Sequence, residues 1–247
     1  MRQWSKSQTN KPPNEQTGKP MRQYDHLFFD LDNTLWDFDK NSKDSLLLIS
    51  NNLTINCSFD DFFQYFDTVN NQLWKEYQNK KLKQKEVVVK RFELVFDKFK
   101  IKADPEKAND QFLQLLPGRS ILKPYTIETL QYLKDKGYRL HIVTNGIKDI
   151  QIKKIENSGI SRFFELIITS EEVGIPKPDK RIFRYALTKA NARKIKSIVI
   201  GDSWESDIIG AQQVGMKSIF ISWDKPVAEN HPSTIIISNL RQIQELL

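Results

Sequence analysis

Two carboxylates stand one residue apart at Asp30 and Asp32, where the apolar run LFF breaks off inside the segment FFDLDNTL, Phe28 to Leu35. In an extended backbone residues two apart share a side, and neighbouring acids oppose each other's ionisation unless a positive group lies between them. A hard divalent cation, which takes oxygen ligands, meets that need. The plainer alternative is a pair of acids that merely begin a turn. Three further stretches carry groups of a matching kind. Thr144-Asn145-Gly146 follows the apolar run of RLHIVT, Lys177 sits in GIPKPDKRIF, and Gly201-Asp202-Ser203 ends SIVIG with Asp207 close behind. Taken singly, Thr144 reads as a strand residue, Lys177 as a solvated cation and Asp207 as a first-turn helix acid. Taken together they offer oxygen ligands for Mg2+ from Asp30, Asp202 and the Asp32 backbone carbonyl. They also offer a hydroxyl and amides for an anion, and an ammonium to balance the charge, which is the set that phosphoryl transfer uses.

Hydropathy patterning indicates what positions these groups. A first strand over residues 24 to 30 ends at Asp30. From Ile121 onward short apolar strands alternate with helices: TIETLQYLKDKG as a helix closed by Gly137, then RLHIVT, IKDIQIKKIENSGI, FELIITS, PDKRIFRYALTKAN, SIVIGD, ESDIIGAQQVG, SIFIS, STIIIS and a last helix NLRQIQELL. That alternation predicts an α/β fold, a parallel sheet covered by helices on both faces. The first strand must join the sheet, because alone its backbone would lack partners. Ligands of such sheets bind beyond the carboxyl ends of the strands, where Asp30, Asp32, Thr144, Asn145, Gly146, Asp202 and Asp207 all fall. The Thr144 hydroxyl and the next two amides open onto a helix N-terminus, which favours an anion. Lys177 precedes a proline, which biases it to extended geometry.

Between the first strand and Ile121 the spacing is helical throughout, with start signals at Ser58 and at Asp104 before Pro105. This predicts an all-helical insertion over residues 37 to 118, a lid over the sheet's edge. Its two connections, after Trp36 and near Gly118, are expected hinges. The parent domain then comprises residues 21 to 36 and 119 to 247. Residues 1 to 20 are polar and proline-bearing, an expected flexible extension, and Met21 repeats the MRQ of the opening as a candidate start.

The formal charge of +7 on 247 residues is concentrated in residues 1–23, where five Lys or Arg face one Glu, leaving 33 against 30 in the rest. A nucleic-acid surface on the folded body is therefore not expected. The lone Cys57 excludes an internal disulfide and a paired-thiol metal site, which suits a reducing compartment. Neither a membrane-spanning run nor a signal-peptide core is present in the sequence. The expectation is a cytoplasmic protein, monomer or homodimer.

The stretches FFDLDNTL, IVTNG, the lysine of IPKPD, and IGDSWESD resemble, in order, the four signature motifs of the haloacid dehalogenase superfamily, across residues 24 to 223. The resemblance implies a Rossmann-like core of three layers, α/β/α, with a helical cap after strand one, Mg2+ dependence and an aspartyl-phosphate intermediate. It makes Asp30 the nucleophile, Asp32 the general acid/base, and Thr144 and Lys177 the phosphate binders, helped by Asn145 and Gly146. Asp202 becomes the metal ligand alongside Asp30 and Asp32, and Asp207 the second acid that helps hold the metal or its water. Dehalogenases of the superfamily lack the second aspartate of the DxD motif, so Asp32 argues against that chemistry. Sugar phosphomutases keep it and remain an alternative. A catalytically silent phosphate-binding module would have lost a core residue, and none is lost. The expected activity is a phosphatase acting on a small phosphorylated metabolite.

FDLDNTLWDFD and the long helical block are similar to the pyrimidine 5'-nucleotidase subgroup, though phosphoglycolate phosphatases share much of both. A nucleoside 5'-monophosphate is the candidate substrate. Trp36, Phe38, Trp74 and Tyr77 could stack on a base, or pack the cap's own interior. Arg91 or Lys90 could meet a second anion, although KKLKQKEVVVKR reads more simply as a solvated helix face. His26, His141 and His231 are given no role.

Overall fold

The computed structural model describes residues 22–223 and 231–247; the expected extension over residues 1 to 20 and the candidate start at Met21 lie outside the described residues. Strands β1 (His26–Phe29), β2 (Arg139–Thr144), β3 (Phe164–Thr169), β4 (Ser197–Gly201), β5 (Lys217–Ile221) and β6 (Thr234–Ile237) form one six-stranded parallel sheet in the order β3-β2-β1-β4-β5-β6. The first strand is thus central, held by β2 and β4. Its ladder takes only four of the expected residues, though the Asp30 N–H still donates to Ile200 O at 2.9 Å. Alternation splits its side chains between two apolar layers. Leu27 and Phe29 enter the larger cluster with Ile142, Ile200 and Ile219. Phe28 enters the other with Val143, Val199 and Phe183. Helices on both faces therefore bury both sides of the sheet, as an all-parallel sheet requires.

Helices α1 (Phe38–Ser50), α2 (Phe59–Gln78), α3 (Gln84–Phe99) and α4 (Pro105–Leu115) follow β1 directly. Ser58 caps α2 by accepting from Asp61 N–H, and Asp104 caps α4 by accepting from Glu106 and Lys107 N–H, the two start signals read in the sequence. The block lies toward the β3 edge of the sheet. It reaches the carboxyl ends of β2 and β3: Tyr77 Oη donates to Ser170 Oγ at 2.9 Å, Gln84 Nε2 to Asn145 O at 2.9 Å, and Lys80 Nζ pairs with Asp179 at 2.6 Å. The two chain connections to the block run side by side. Asp37 N–H donates to Ile121 O, Lys123 N–H to Leu35 O, and the Asn41 amide bonds Ile121 at both its N–H and its carbonyl.

After the block come α5 (Thr126–Asp135), α6 (Lys148–Asn157), α7 (Ser170–Val173), α8 (Lys180–Lys189), α9 (Ile209–Val214) and α10 (Ile243–Leu246). The stretch expected as a single helix after β4 begins instead with a π-helical turn, Trp204–Ile208, whose start is capped by Ser203. No described helix is long and apolar enough to cross a membrane.

Under the sheet, His26 Nδ1 lies 3.0 Å from His141 Nε2, the rings stacked and both residues buried. Burial and the neighbouring His26 hold His141 down to about 4, against the pull of Glu165 and with Arg139 adding to the depression. A depressed histidine stabilises the fold fully above its ordinary value of 6.5, and that contribution is lost as pH falls through about 4. Between pH 7 and 4 the wild type should lose about 2–3 kcal/mol more than His141→Gln, which keeps a polar partner for His26 without titrating. Urea unfolding at stepped pH measures the difference, and parallel profiles would remove His141 as the cause.

Candidate active site

Every residue singled out from the strand ends borders one cavity or the charge cluster beside it. The cavity, ≈570 Å³, is lined by Asp30, Asp32, Thr144, Asn145, Gly146, Lys177 and Asp202 on the sheet side. Its other side is formed from the helical block. Lys177 is the pivot. Its buried ammonium donates to Asp30 Oδ1 and to Asp207 Oδ1, each at 2.6 Å. Burial opposes that charge, but Asp207 and Asp30 outweigh it and raise Lys177 above the ordinary lysine value. Asn145 fixes the Lys177 backbone from both ends: its Oδ1 accepts from Lys177 N–H at 2.8 Å and its Nδ2 donates to Lys177 O at 3.1 Å. The Asn145 side chain is therefore spent on placing the lysine.

Asp202 is held by Thr34, whose hydroxyl donates to Asp202 Oδ1 at 2.9 Å and accepts from Asp202 N–H at 3.1 Å. Asp207, from the π turn, takes Lys177 on one oxygen and Ser203 N–H on the other. Gly201 is obligatory for this packing, because a Cβ there would collide with the Asp207 carboxylate. One oxygen each of Asp30, Asp202 and Asp207 lies within 4.8 Å of the others. Burial, with the charges of Asp207 and Asp202 adding to it and Lys177 opposing it, pushes Asp30 well above the usual carboxylate range. Burial and Asp207 raise Asp202 to about 7. Three crowded acids facing one ammonium are short of positive charge, and an all-oxygen set of this kind fits Mg2+.

Asp32 points elsewhere. Its carboxylate accepts from Lys154 Nζ at 2.7 Å and from Gln151 Nε2 at 2.8 Å, and it is not among the acids that converge at Asp30, Asp202 and Asp207. Gln151 also donates to Thr144 Oγ1 at 2.7 Å, and Gly146 N–H reaches the same oxygen at 3.1 Å. The Thr144 oxygen thus accepts twice and keeps its own proton to donate. The Gly146 amide, expected to face an anion, is turned instead to Thr144.

Gln151 and Lys154 were not anticipated. They stand three apart on the buried face of α6, a spacing that puts them one above the other, and this is the signal that was available. Lys154 lies 4.3 Å from the centre of the Trp36 ring. Trp36 is fully buried and Tyr77 nearly so, so neither is free to stack on a ligand, whereas Phe38 and Trp74 line the cavity. Arg91, expected on a solvated face, is 2% exposed and also lines the cavity.

The family model of haloacid dehalogenase-like hydrolases matches residues 27–221. Among curated relatives, pyrimidine 5'-nucleotidase YjjG of Escherichia coli (strain K12) is 29% identical over 91% of this chain and 98% of its own. The HAD-hydrolase YfnB of Bacillus subtilis (strain 168) is 30% identical over 92% of this chain and 95% of its own. The crystal structure of YfnB bound to magnesium superposes with a TM-score of 0.85 at 27% identity, covering 92% of this chain and 99% of that one. With an ordered set of matching motifs, a matching sheet and a family match over most of its length, the chain belongs to the haloacid dehalogenase-like hydrolases.

Proposed function

We propose that this hydrolase is a Mg2+-dependent phosphatase that cleaves a small phosphorylated metabolite through an aspartyl phosphate on Asp30, with a nucleoside 5'-monophosphate as the substrate class. The observation that carries the reading is the state of Asp30. One of its oxygens is held by Lys177, while the other makes no hydrogen bond among the described residues and belongs to a cavity-lining side chain. That free oxygen attacks phosphorus, the ester P–O bond breaks, and the departing oxygen takes a proton from Asp32. Water then attacks the aspartyl phosphate, gives its proton to Asp32, and the P–O bond to Asp30 breaks to release inorganic phosphate. Lys177 and the Thr144 hydroxyl hold the phosphoryl oxygens, and Asn145 holds Lys177. Asp30, Asp202, Asp207 and the Asp32 carbonyl would hold Mg2+, which supplies charge neutralisation for phosphate beside carboxylates. Residues 37 to 118 act as a cap over the strand ends, moving against a core of residues 21 to 36 and 119 to 247. The similarity to pyrimidine 5'-nucleotidases over nearly the whole chain supports the substrate class.

A panel of phosphorylated metabolites assayed with Mg2+ and with chelator tests this. Nucleoside 5'-monophosphates should lead the panel. Chelator should lower turnover by at least about a hundred-fold, consistent with a metal that neutralises transition-state charge, and Mg2+ should restore it. Turnover indifferent to chelator would remove the metal from the reading.

A further inference from the structure

The cavity's outer side holds an arrangement that the phosphoryl chemistry does not use. Arg91 is buried beneath the rings of Phe66, Phe92 and Phe112, its guanidinium carbon 5.4, 5.6 and 4.6 Å from their centres. It forms no ion pair with a carboxylate of the described residues. Its three nitrogens donate to neutral oxygens instead: Nε to Val88 O, Nη1 to Asn70 Oδ1 and Nη2 to Asn109 Oδ1, each at 3.1 Å. Burial pulls its pKa down to about 9. A cation kept in such a place is costly, and an apolar side chain of similar volume often stabilises a fold as well or better. Its retention calls for a use.

Asn70 supplies one. Its Oδ1 accepts from Arg91 and also from Trp74 Nε1 at 3.2 Å. Two donors on one side-chain oxygen settle which end of the amide is which. The Nδ2 group donates to nothing among the described residues, and Asn70, 2% exposed, lines the cavity. Arg91 and Trp74 thus lock an amide so that two unused N–H donors belong to the cavity, and the guanidinium on its oxygen polarises it into a stronger donor. With the indole N–H tied to Asn70, Trp74 lines the same space with its ring. Phe38, Val88, Leu113 and Leu116 add apolar surface around it, beside the polar Asp67, Asn71, Lys75 and Gln78 of α2. Such a site fits a flat ring with an acceptor edge. Three of the five guanidinium N–H donors of Arg91 are already taken by the Val88, Asn70 and Asn109 oxygens.

We propose that Asn70 is the specificity residue of this cavity, donating from its locked amide to a ring carbonyl of a pyrimidine nucleoside leaving group, with Arg91 as the positioning residue that fixes the amide. This rests on the phosphatase reading above and adds the feature of the substrate that is read.

The test compares uridine 5'-monophosphate with ribose 5-phosphate, which keeps the phosphate and sugar but has no base. The wild type should favour the nucleotide in kcat/KM by at least about ten-fold, because a site built around a hydrogen bond discriminates against the analogue that lacks the partner. Asn70→Asp preserves shape and gives Arg91 a counter-ion while replacing the donors by acceptors. It should cut the preference ratio by at least about ten-fold, mainly through KM. Arg91→Met fills the same volume and frees the amide to turn, so it should also lower the ratio. A purely structural arginine would shift the melting temperature and leave the ratio alone. A wild type that turns over both substrates equally, or an Asn70→Asp protein with the wild-type ratio, overturns the assignment of Asn70 and leaves the phosphatase reading standing. A wild type inactive on both substrates and on p-nitrophenyl phosphate overturns the phosphatase reading and this proposal with it.

Discussion

Replacing Asp30 by Asn is expected to give a folded protein whose turnover is lower by at least about a thousand-fold, a barrier increase of about 4 kcal/mol. The amide has the shape of the carboxylate but is a poor nucleophile, and it removes one of the three acids crowded at the strand ends. Lys177 keeps Asp207 at 2.6 Å, so the buried ammonium is not stranded. Since burial and neighbouring acids already oppose the charge on Asp30, the variant should melt no lower than wild type in chelator. Steady-state assays with excess Mg2+, together with a melting curve, read both outcomes. Activity above a few per cent of wild type would sink the covalent route.

Asp32→Asn is expected to separate substrates by their leaving groups. General acid–base groups typically contribute 10²–10⁴-fold, so about that loss should appear with alkyl phosphates, whose oxygen needs a proton to depart. p-Nitrophenyl phosphate, with a stable leaving group, should lose markedly less in its first step. The contacts of Asp32 sharpen the expectation. Lys154 and Gln151 hold its carboxylate by both oxygens, which suits acceptance of a proton from water. Protonation of the ester oxygen requires Asp32 to carry a proton and leave the lysine. The same assay decides between hydrolase and phosphomutase. Inorganic phosphate should appear one for one with alcohol, without a bisphosphate primer. Dependence on such a primer with total organic phosphate unchanged would transfer these residues to a mutase.

The sheet and the floor of the site were legible because strand ends carry chemistry in this architecture: Asp30, Thr144 and Asp202 each terminate or directly follow an apolar run. The helix starts at Ser58 and Asp104 were equally plain, since a cap is a local interaction between neighbours in sequence. What escaped were polar residues whose partners come from distant segments. Lys154 stands in a helix with three lysines, and nothing local distinguishes the one that meets Asp32 and Trp36. Arg91 was read as solvated from the run of lysines before it. Yet it falls at the helical spacing shared by Val87, Val88, Phe92, Val95 and Phe96, all buried, so its position outweighed its charge. Strand order is not carried by strand identity, so the sequence leaves open which strand ends the helical block faces, and the fold places it at β2 and the edge strand β3.

The hydrogen-bonded crossing of the two connections, at Leu35, Asp37 and Asn41 against Ile121 and Lys123, bears on how the protein can diversify. To the sheet, everything between those connections is a closed loop. Closure entropy grows only with the logarithm of loop length, about 0.6 kcal/mol per doubling, and the paired crossing holds the ends together whatever lies between. Helices in the loop can lengthen, shorten or exchange their cavity-facing residues at little thermodynamic expense to the strands that hold Asp30, Lys177 and Asp202. Substrate preference can therefore drift in one part of the molecule while the reacting centre stays constant in the other.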